Sequence, residues 1–243
     1  MLRKERLEEE FESESEEQAF KDYLDVTNII SVNYSLIADE LSCLGDFQEG
    51  LAIDIGTGLG DLAIEIARRY PKLKIIGIDI SQRAITEAAR RIEGQYLNEV
   101  SFQLGDVHSL AFSDLSVDLV VSHGAIHHLK DLSKVLFEIY RVLKPNALVY
   151  LSDLRRDAPE DIIRQVKTSL SASQAKAFLN SINASYIPEE LRQVLDNLGI
   201  KDYSISDQKF SRDTISKNKY KLRSSSMRKA DYTKLSQTII IRK

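Results

Sequence analysis

A chain of 243 residues, 43% hydrophobic and 29% charged, has an ordinary globular balance and enough length for one packed domain with a small cap. With 33 Lys and Arg against 37 Asp and Glu the net charge is −4, which gives no global case for nucleic acid. A single cysteine, Cys43, excludes an internal disulfide and a thiolate-rich zinc site. No apolar run is long enough to span a membrane and the N-terminus lacks a signal peptide's apolar core, which points to a cytoplasmic protein with no membrane partner.

The charge is uneven along the chain. Residues 1–20 carry eight Glu against Arg3, Lys4 and Arg6, and read as a frayed or solvated helix. Residues 19–45 carry apolar side chains at helical spacing (Ile30, Tyr34, Ile37, Ala38, Leu41) and predict one or two helices ending near Gly45. Tyr23 and Tyr34 fall here, with core packing the simpler role and contact with a ligand the alternative.

"GLAIDIGTGLG" then opens as a short buried strand, Leu51 to Ile55, and breaks into glycine. "DLAIEIARRY" is an amphipathic helix stopped by Pro71, "KIIGIDI" a second buried strand, and "SQRAITEAARRIEG" a helix with Ser81 as N-cap and Gly94 at its end. Strands at "VSFQLGD" and "VDLVVSH", a helix at "SKVLFEIYRVL" and a strand at "ALVYLSD" continue the alternation. Buried strands alternating with helices predict an α/β fold, a parallel sheet covered on both faces.

Residues 159–185 read as helical and interrupt the alternation, and "PEELRQVLDNLG" is a helix opened by Pro188 and stopped by Gly199. "KDYSISDQKF" and "LSQTIIIRK" have no helix between them and predict an antiparallel pair at one edge. The expected organisation is a leader and cap over 1–48 and one domain over 49–243, with an inserted lid at 156–187.

The chemistry concentrates at strand ends. Gly56-Thr57-Gly58-Leu59-Gly60 lets backbone approach a ligand, although such a turn alone is a weak signal. Asp79 ends the next strand some twenty residues on, suited to the two hydroxyls of a ribose, and Asp106 ends the third, suited to the amine of adenine. Each alone could be a turn or a cap; three in register at the carboxyl ends of successive strands argue for a site. Asp54, two residues before the first glycine, would repel pyrophosphate and attract an ammonium group. That disfavours a nicotinamide dinucleotide and favours S-adenosylmethionine.

"LAIDIGTGLG", "IIGIDIS", "FQLGDVHSLAF", "VDLVVSHGAIHHL" and "EIYRVLKPNA" occur in the order and spacing of class I S-adenosylmethionine-dependent methyltransferases. The chain resembles most the small-molecule group that includes the ubiquinone/menaquinone-type enzymes, over roughly residues 49–155. The resemblance implies a Rossmann-like seven-stranded sheet with an antiparallel final strand. It implies that Asp54, Gly56, Thr57, Gly58, Gly60 and His123 line the methionine end of the cofactor. It further implies Asp79 on the ribose, Ile80 against the adenine, and Asp106 with Val107 at the adenine edge. Two departures show: "LKPNA" for the usual "LKPGG", where Asn146 can still turn left-handed, and "LAF" for "LPF".

Three of the four histidines lie in "VSHGAIHHL". His123 and His127 have the i, i+4 spacing of a helical metal clamp, but His123 ends a strand, Gly124 follows and the Glu is missing, so no metal is expected. In the resembling family this segment faces the sulfonium, which makes His127 the candidate base, with His128 in reserve. One of the two could instead cap the following helix. Asp153, expected just after the fifth strand, could orient a histidine or a substrate amine, or cap a loop; His108 reads as a polar loop residue.

The expected partner is a small-molecule acceptor, and a homodimer stays open. Residues 212–234 carry eight Lys and Arg with Tyr220 and Tyr232 interleaved, which keeps open an RNA or carrier-bound acceptor, although a solvated loop explains them as well. A non-catalytic cofactor-fold subunit is the remaining rival, and it would be expected to erode the glycine turn or the ribose acid.

Overall fold

The computed structural model describes residues 5–7, 33–168, 170–209 and 234–243. Most of the acidic leader, Tyr23 and the basic segment apart from Lys234 lie outside the described residues.

Seven strands form one sheet in the order β3-β2-β1-β4-β5-β7-β6. They are β1 Glu49–Ile55, β2 Lys72–Asp79, β3 Val100–Leu104, β4 Val117–His123, β5 Leu143–Leu154, β6 Tyr203–Asp207 and β7 Ser236–Arg242. All neighbours up to β5 pair in parallel, whereas β7 runs antiparallel to both β5 and β6. The helices are α1 over 33–44, α2 Asp61–Arg69, α3 Gln82–Ile92, α4 Leu132–Val142, α5 Glu160–Lys167, α6 Ala172–Ala184 and α7 Pro188–Asn197.

Alternation along the central strands sends side chains to two cores. On one face Ala52, Leu119, Val121, Leu148 and Tyr150 pack under α1 and α2. On the other Ile53, Val120, Val149 and Leu151 pack with Leu136 and Ile139 of α4 and Leu191 and Leu195 of α7. The central strands therefore have water on neither face, which is why they read as continuous apolar runs.

The expected N-cap of α3 and the expected left-handed turn at Asn146 both form. Ser81 accepts from the Ala84 N–H at the start of α3, and Asn146 takes φ +66. The fifth strand begins earlier than its apolar run suggests, at Leu143, with a register shift against β4 after Val117. It also runs one residue past Asp153, so that carboxylate stands within β5 and not in the loop after it. Helices α5 and α6 lie between β5 and α7, with Ala158, Ile162 and Ile182 packed on Leu235 in a core of their own. No helix among the described residues is long and apolar enough to cross a membrane.

Candidate active site

The strand order reverses between β1 and β4, both of which border the glycine turn. Gly56, Gly58 and Gly60 all take positive φ, at 64°, 52° and 78°. A Cβ on Gly56 would stand 2.4 Å from that of Ala125, and one on Gly60 would stand 2.4 Å from the Phe102 ring. Gly60 is also the N-cap of α2, with no side chain capping the helix.

Two carboxylates brace this turn. The Thr57 hydroxyl donates to Asp54 Oδ2 at 2.7 Å, and Asp54 is buried with Asp79 and Asp61 nearby. Burial pushes its carboxyl up to about 7, against the pull of the Thr57 hydroxyl and the Ala63 N–H. Asp79 accepts from the Gly58 N–H at 2.9 Å through Oδ2 and from the Ser81 N–H at 2.8 Å through Oδ1, which ties the turn to the end of β2.

Beyond Asp79 the surface turns apolar. Ile80 is 77% exposed and Leu104, which pairs with Asp79 at the end of β3, is 53% exposed, so two large apolar side chains stand uncovered at neighbouring strand ends. Asp106 accepts from the His108 N–H and faces His108 Nδ1 at 2.7 Å. Those two contacts hold its carboxyl below the usual range. Val107 is buried beneath this loop.

The histidines separate by environment. His123 ends β4, its ring edge-on to Tyr34 with centroids 5.3 Å apart and Nδ1 3.2 Å from Ser152 Oγ. Burial pushes it down to about 4, so it stays neutral. A 3₁₀ turn, Ile126–His128, follows. His127 is buried and faces Asp153, whose Oδ2 accepts the His127 N–H at 2.9 Å while Oδ1 lies 2.7 Å from Nδ1. His128 is exposed, its ring 3.9 Å from that of His127. His127 thus turns inward, and Asp153 serves both as turn cap and as partner of the imidazole.

Burial alone would raise the Asp153 carboxyl; the His127 imidazole and the N–H groups of His127 and Leu154 outweigh it and hold it below the usual range. With Nδ1–H donated to that carboxylate, Nε2 keeps its lone pair. Among the described residues no group of three or more His, Cys, Asp or Glu is arranged to hold a metal.

Arg6 reaches the same turn, donating to the His127 and Leu129 carbonyls at 3.0 and 3.1 Å. Nothing in the sequence marks it, one of three cations (Arg3, Lys4 and Arg6) in a leader rich in glutamate. Leu104 was equally illegible, since only the fold leaves it uncovered.

A glycine turn at the switch point, a carboxylate at each of three successive strand ends and an exposed apolar ledge define a nucleoside-binding α/β enzyme. A family model described as a methyltransferase domain matches residues 48–233, and the chain belongs to that family, within the class I S-adenosylmethionine-dependent methyltransferases. It is 37% identical over 101 residues to the ubiquinone/menaquinone biosynthesis C-methyltransferase UbiE of Desulfotalea psychrophila, covering 42% of this chain and 40% of the relative. It is 38% identical over 107 residues to a demethylmenaquinone methyltransferase of Lactobacillus johnsonii, covering 43% and 42%. The chain thus spans about two-fifths of the length of these curated relatives.

Among solved structures, a putative S-adenosyl-L-methionine-dependent methyltransferase of Methanococcus maripaludis superposes with a TM-score of 0.66 at 24% identity, covering 98% of this chain and 97% of the other. The plantazolicin methyltransferase BamL, solved with a desmethylplantazolicin analog and S-adenosylhomocysteine, gives 0.71 at 18% identity over 93% and 90%. At those identities the likeness is one of fold.

The residues present fit the family's cofactor. Asp54 is a buried carboxyl that an ammonium group would hold ionised, and the crowding at Gly56 and Gly60 leaves no room for side chains beside the turn. Ile80 and Leu104 offer apolar surface for a purine face.

Proposed function

We propose that this protein transfers the methyl group of S-adenosylmethionine to a small-molecule acceptor that gives up a proton, with His127 as the base. The single observation that carries the reading is the two-point hold of Asp153 on His127. A buried carboxylate on Nδ1–H leaves the Nε2 lone pair as the imidazole's one proton acceptor and stabilises the imidazolium formed when it is used.

When bound, S-adenosylmethionine supplies an electrophilic methyl group on a sulfonium, whose charge is lost in the transfer. Asp79 would accept from the ribose hydroxyls and Asp54 would face the ammonium group. Ile80, Asp106 and Val107 would border the adenine, with Gly56, Thr57, Gly58, Gly60 and His123 along the methionine end. Alignment and exclusion of water then supply most of the rate. Helices α5 and α6, over the expected insertion 156–187, act as the lid that shapes the acceptor pocket.

Calorimetry with S-adenosylhomocysteine tests the cofactor, with NAD as the control; binding of NAD alone would sink the reading. A screen of metabolite extracts for transferred labelled methyl then identifies the acceptor. With that acceptor His127→Ala is expected to lose about 10²–10⁴ in turnover and to keep its affinity for S-adenosylhomocysteine.

A further inference from the structure

We propose that Arg6 is a positioning residue, which ties the His127 turn to the end of α6 and so fixes where the His127 imidazole stands. This rests on the reading of His127 as the base.

The last carbonyls of a helix have no intrahelical donor. At the end of α6 the Leu7 N–H donates to the Asn183 carbonyl at 3.2 Å and Arg6 Nε donates to the Ala184 carbonyl at 2.7 Å. Residues 6 and 7 therefore cap this helix from outside it, with a cation where the helix dipole favours one.

The same guanidinium reaches the 3₁₀ turn. That turn uses the Ala125 and Ile126 carbonyls for its own bonds, from the N–H groups of His128 and Leu129. Arg6 Nη2 takes two of the carbonyls that follow, those of His127 and Leu129. The Tyr186 ring lies beneath, 4.3 Å from the guanidinium carbon, and its hydroxyl donates to the Leu129 carbonyl at 3.3 Å. Gln237 Nε2 in turn donates to the Tyr186 carbonyl at 2.7 Å, which anchors this platform to β7.

His127 is thus held on both sides. Asp153 takes its N–H and Nδ1, and Arg6 takes its carbonyl. Among the described residues no carboxylate pairs with Arg6. Its charge faces three carbonyl oxygens and a ring, an arrangement that needs the guanidinium's planar fork and that a lysine cannot reproduce.

The test reads the imidazole directly and needs no acceptor. In ¹⁵N-histidine-labelled protein saturated with S-adenosylhomocysteine, the His127 Nδ1–H resonance is assigned by its loss in His127→Gln. Exchange of that proton with water is expected to rise about tenfold or more in Arg6→Gln, with less relief from Arg6→Lys than a simple charge would give. Amide protons of β4 should keep their protection, and affinity for S-adenosylhomocysteine should stay within about threefold. Methylguanidinium added to Arg6→Gln should slow the exchange again. An unchanged exchange rate would overturn the proposal. So would a rise matched by the β4 amides, which would make Arg6 a general stability contact. Should Arg6→Gln fail to fold, Arg6→Lys carries the same comparison. Failure of the base reading shows separately, as intact turnover in His127→Ala.

Discussion

The two carboxylate oxygens of Asp153 divide their work on His127: Oδ2 accepts the backbone N–H at 2.9 Å, and Oδ1 faces Nδ1 at 2.7 Å. Asp153→Asn separates the two roles. The amide oxygen can still accept the backbone N–H, but the NH₂ group now donates to Nδ1 and drives the ring proton to Nε2, the wrong tautomer for a base. Turnover is expected to fall about 10²–10⁴-fold while affinity for S-adenosylhomocysteine is kept. Single-turnover transfer of labelled methyl, set beside calorimetry, checks both halves. Asp153→Ala should also destabilise by about 1–3 kcal/mol for each donor left without a partner.

Asp79 is the joint between the glycine turn and β2. Removing it by Asp79→Ala strands the Gly58 and Ser81 N–H groups and takes away the acceptor proposed for the ribose. Hydrogen bonds to a charged group contribute about 1.5–3 kcal/mol each, so affinity for S-adenosylhomocysteine should drop by about 100-fold or more. Asp79→Asn, which keeps one acceptor oxygen, should fall between the two. Equal affinity in all three proteins by titration calorimetry would refute the role.

Much of this was legible because short-range rules govern it. Apolar runs of five to seven residues gave the buried strands, Ser81 and Pro188 the helix starts, and glycine the turn at the switch point. The carboxylates at strand ends followed from that register. Other features depend on contacts far apart in sequence. Asp153 lies 26 residues from His127 and Arg6 lies 121, separations at which no periodicity speaks. Which of His127 and His128 turns inward is likewise set by Asp153, not by their own neighbours. The early start of β5 was hidden by Pro145 and by Asn146 at positive φ, which read as a turn; Leu143 pairs with Val117 and the ladder to β4 resumes only at Leu148.

Gly56 couples the cofactor turn to the histidine turn through one contact. Its φ is +64°, costing a side-chain-bearing residue about 1–2 kcal/mol, and an added Cβ would stand 2.4 Å from the Cβ of Ala125. Ala125 is the N-cap of the turn that carries His127. Gly56→Ala should therefore lower the melting temperature and perturb the His127 Nδ1–H resonance together. Adding Ala125→Gly removes the collision but not the backbone strain, so the double variant should recover part of both losses. Strictly additive losses would disprove the coupling.

Asp54 gives a pH dependence whose sign is unusual for a carboxylate. Its proton is held up to about 7 in the fold by burial, against an ordinary value of 3.8. Between those values the folded state binds more protons than the unfolded chain. The stability tied to this group is therefore full below about pH 4 and is lost as pH rises through about 7. A shift of that size corresponds to on the order of 4 kcal/mol. His123 works in the opposite direction: pushed down to about 4 from 6.5, it removes stability as pH falls below 6.5. The two partly cancel in the wild type, so Asp54→Asn is needed to separate them. An amide has the shape of the protonated acid and cannot ionise. The variant and wild type should differ least at or below about pH 4, where both carry a neutral group in either state, and the ligand-free variant should be the more stable at pH 8. S-adenosylhomocysteine, whose ammonium group would meet the ionised carboxylate, should restore the wild type at pH 8 and do far less for Asp54→Asn. Melting curves at the two pH values, with and without ligand, decide it; parallel behaviour of the two proteins across pH would mean that the Asp54 proton is not linked to folding.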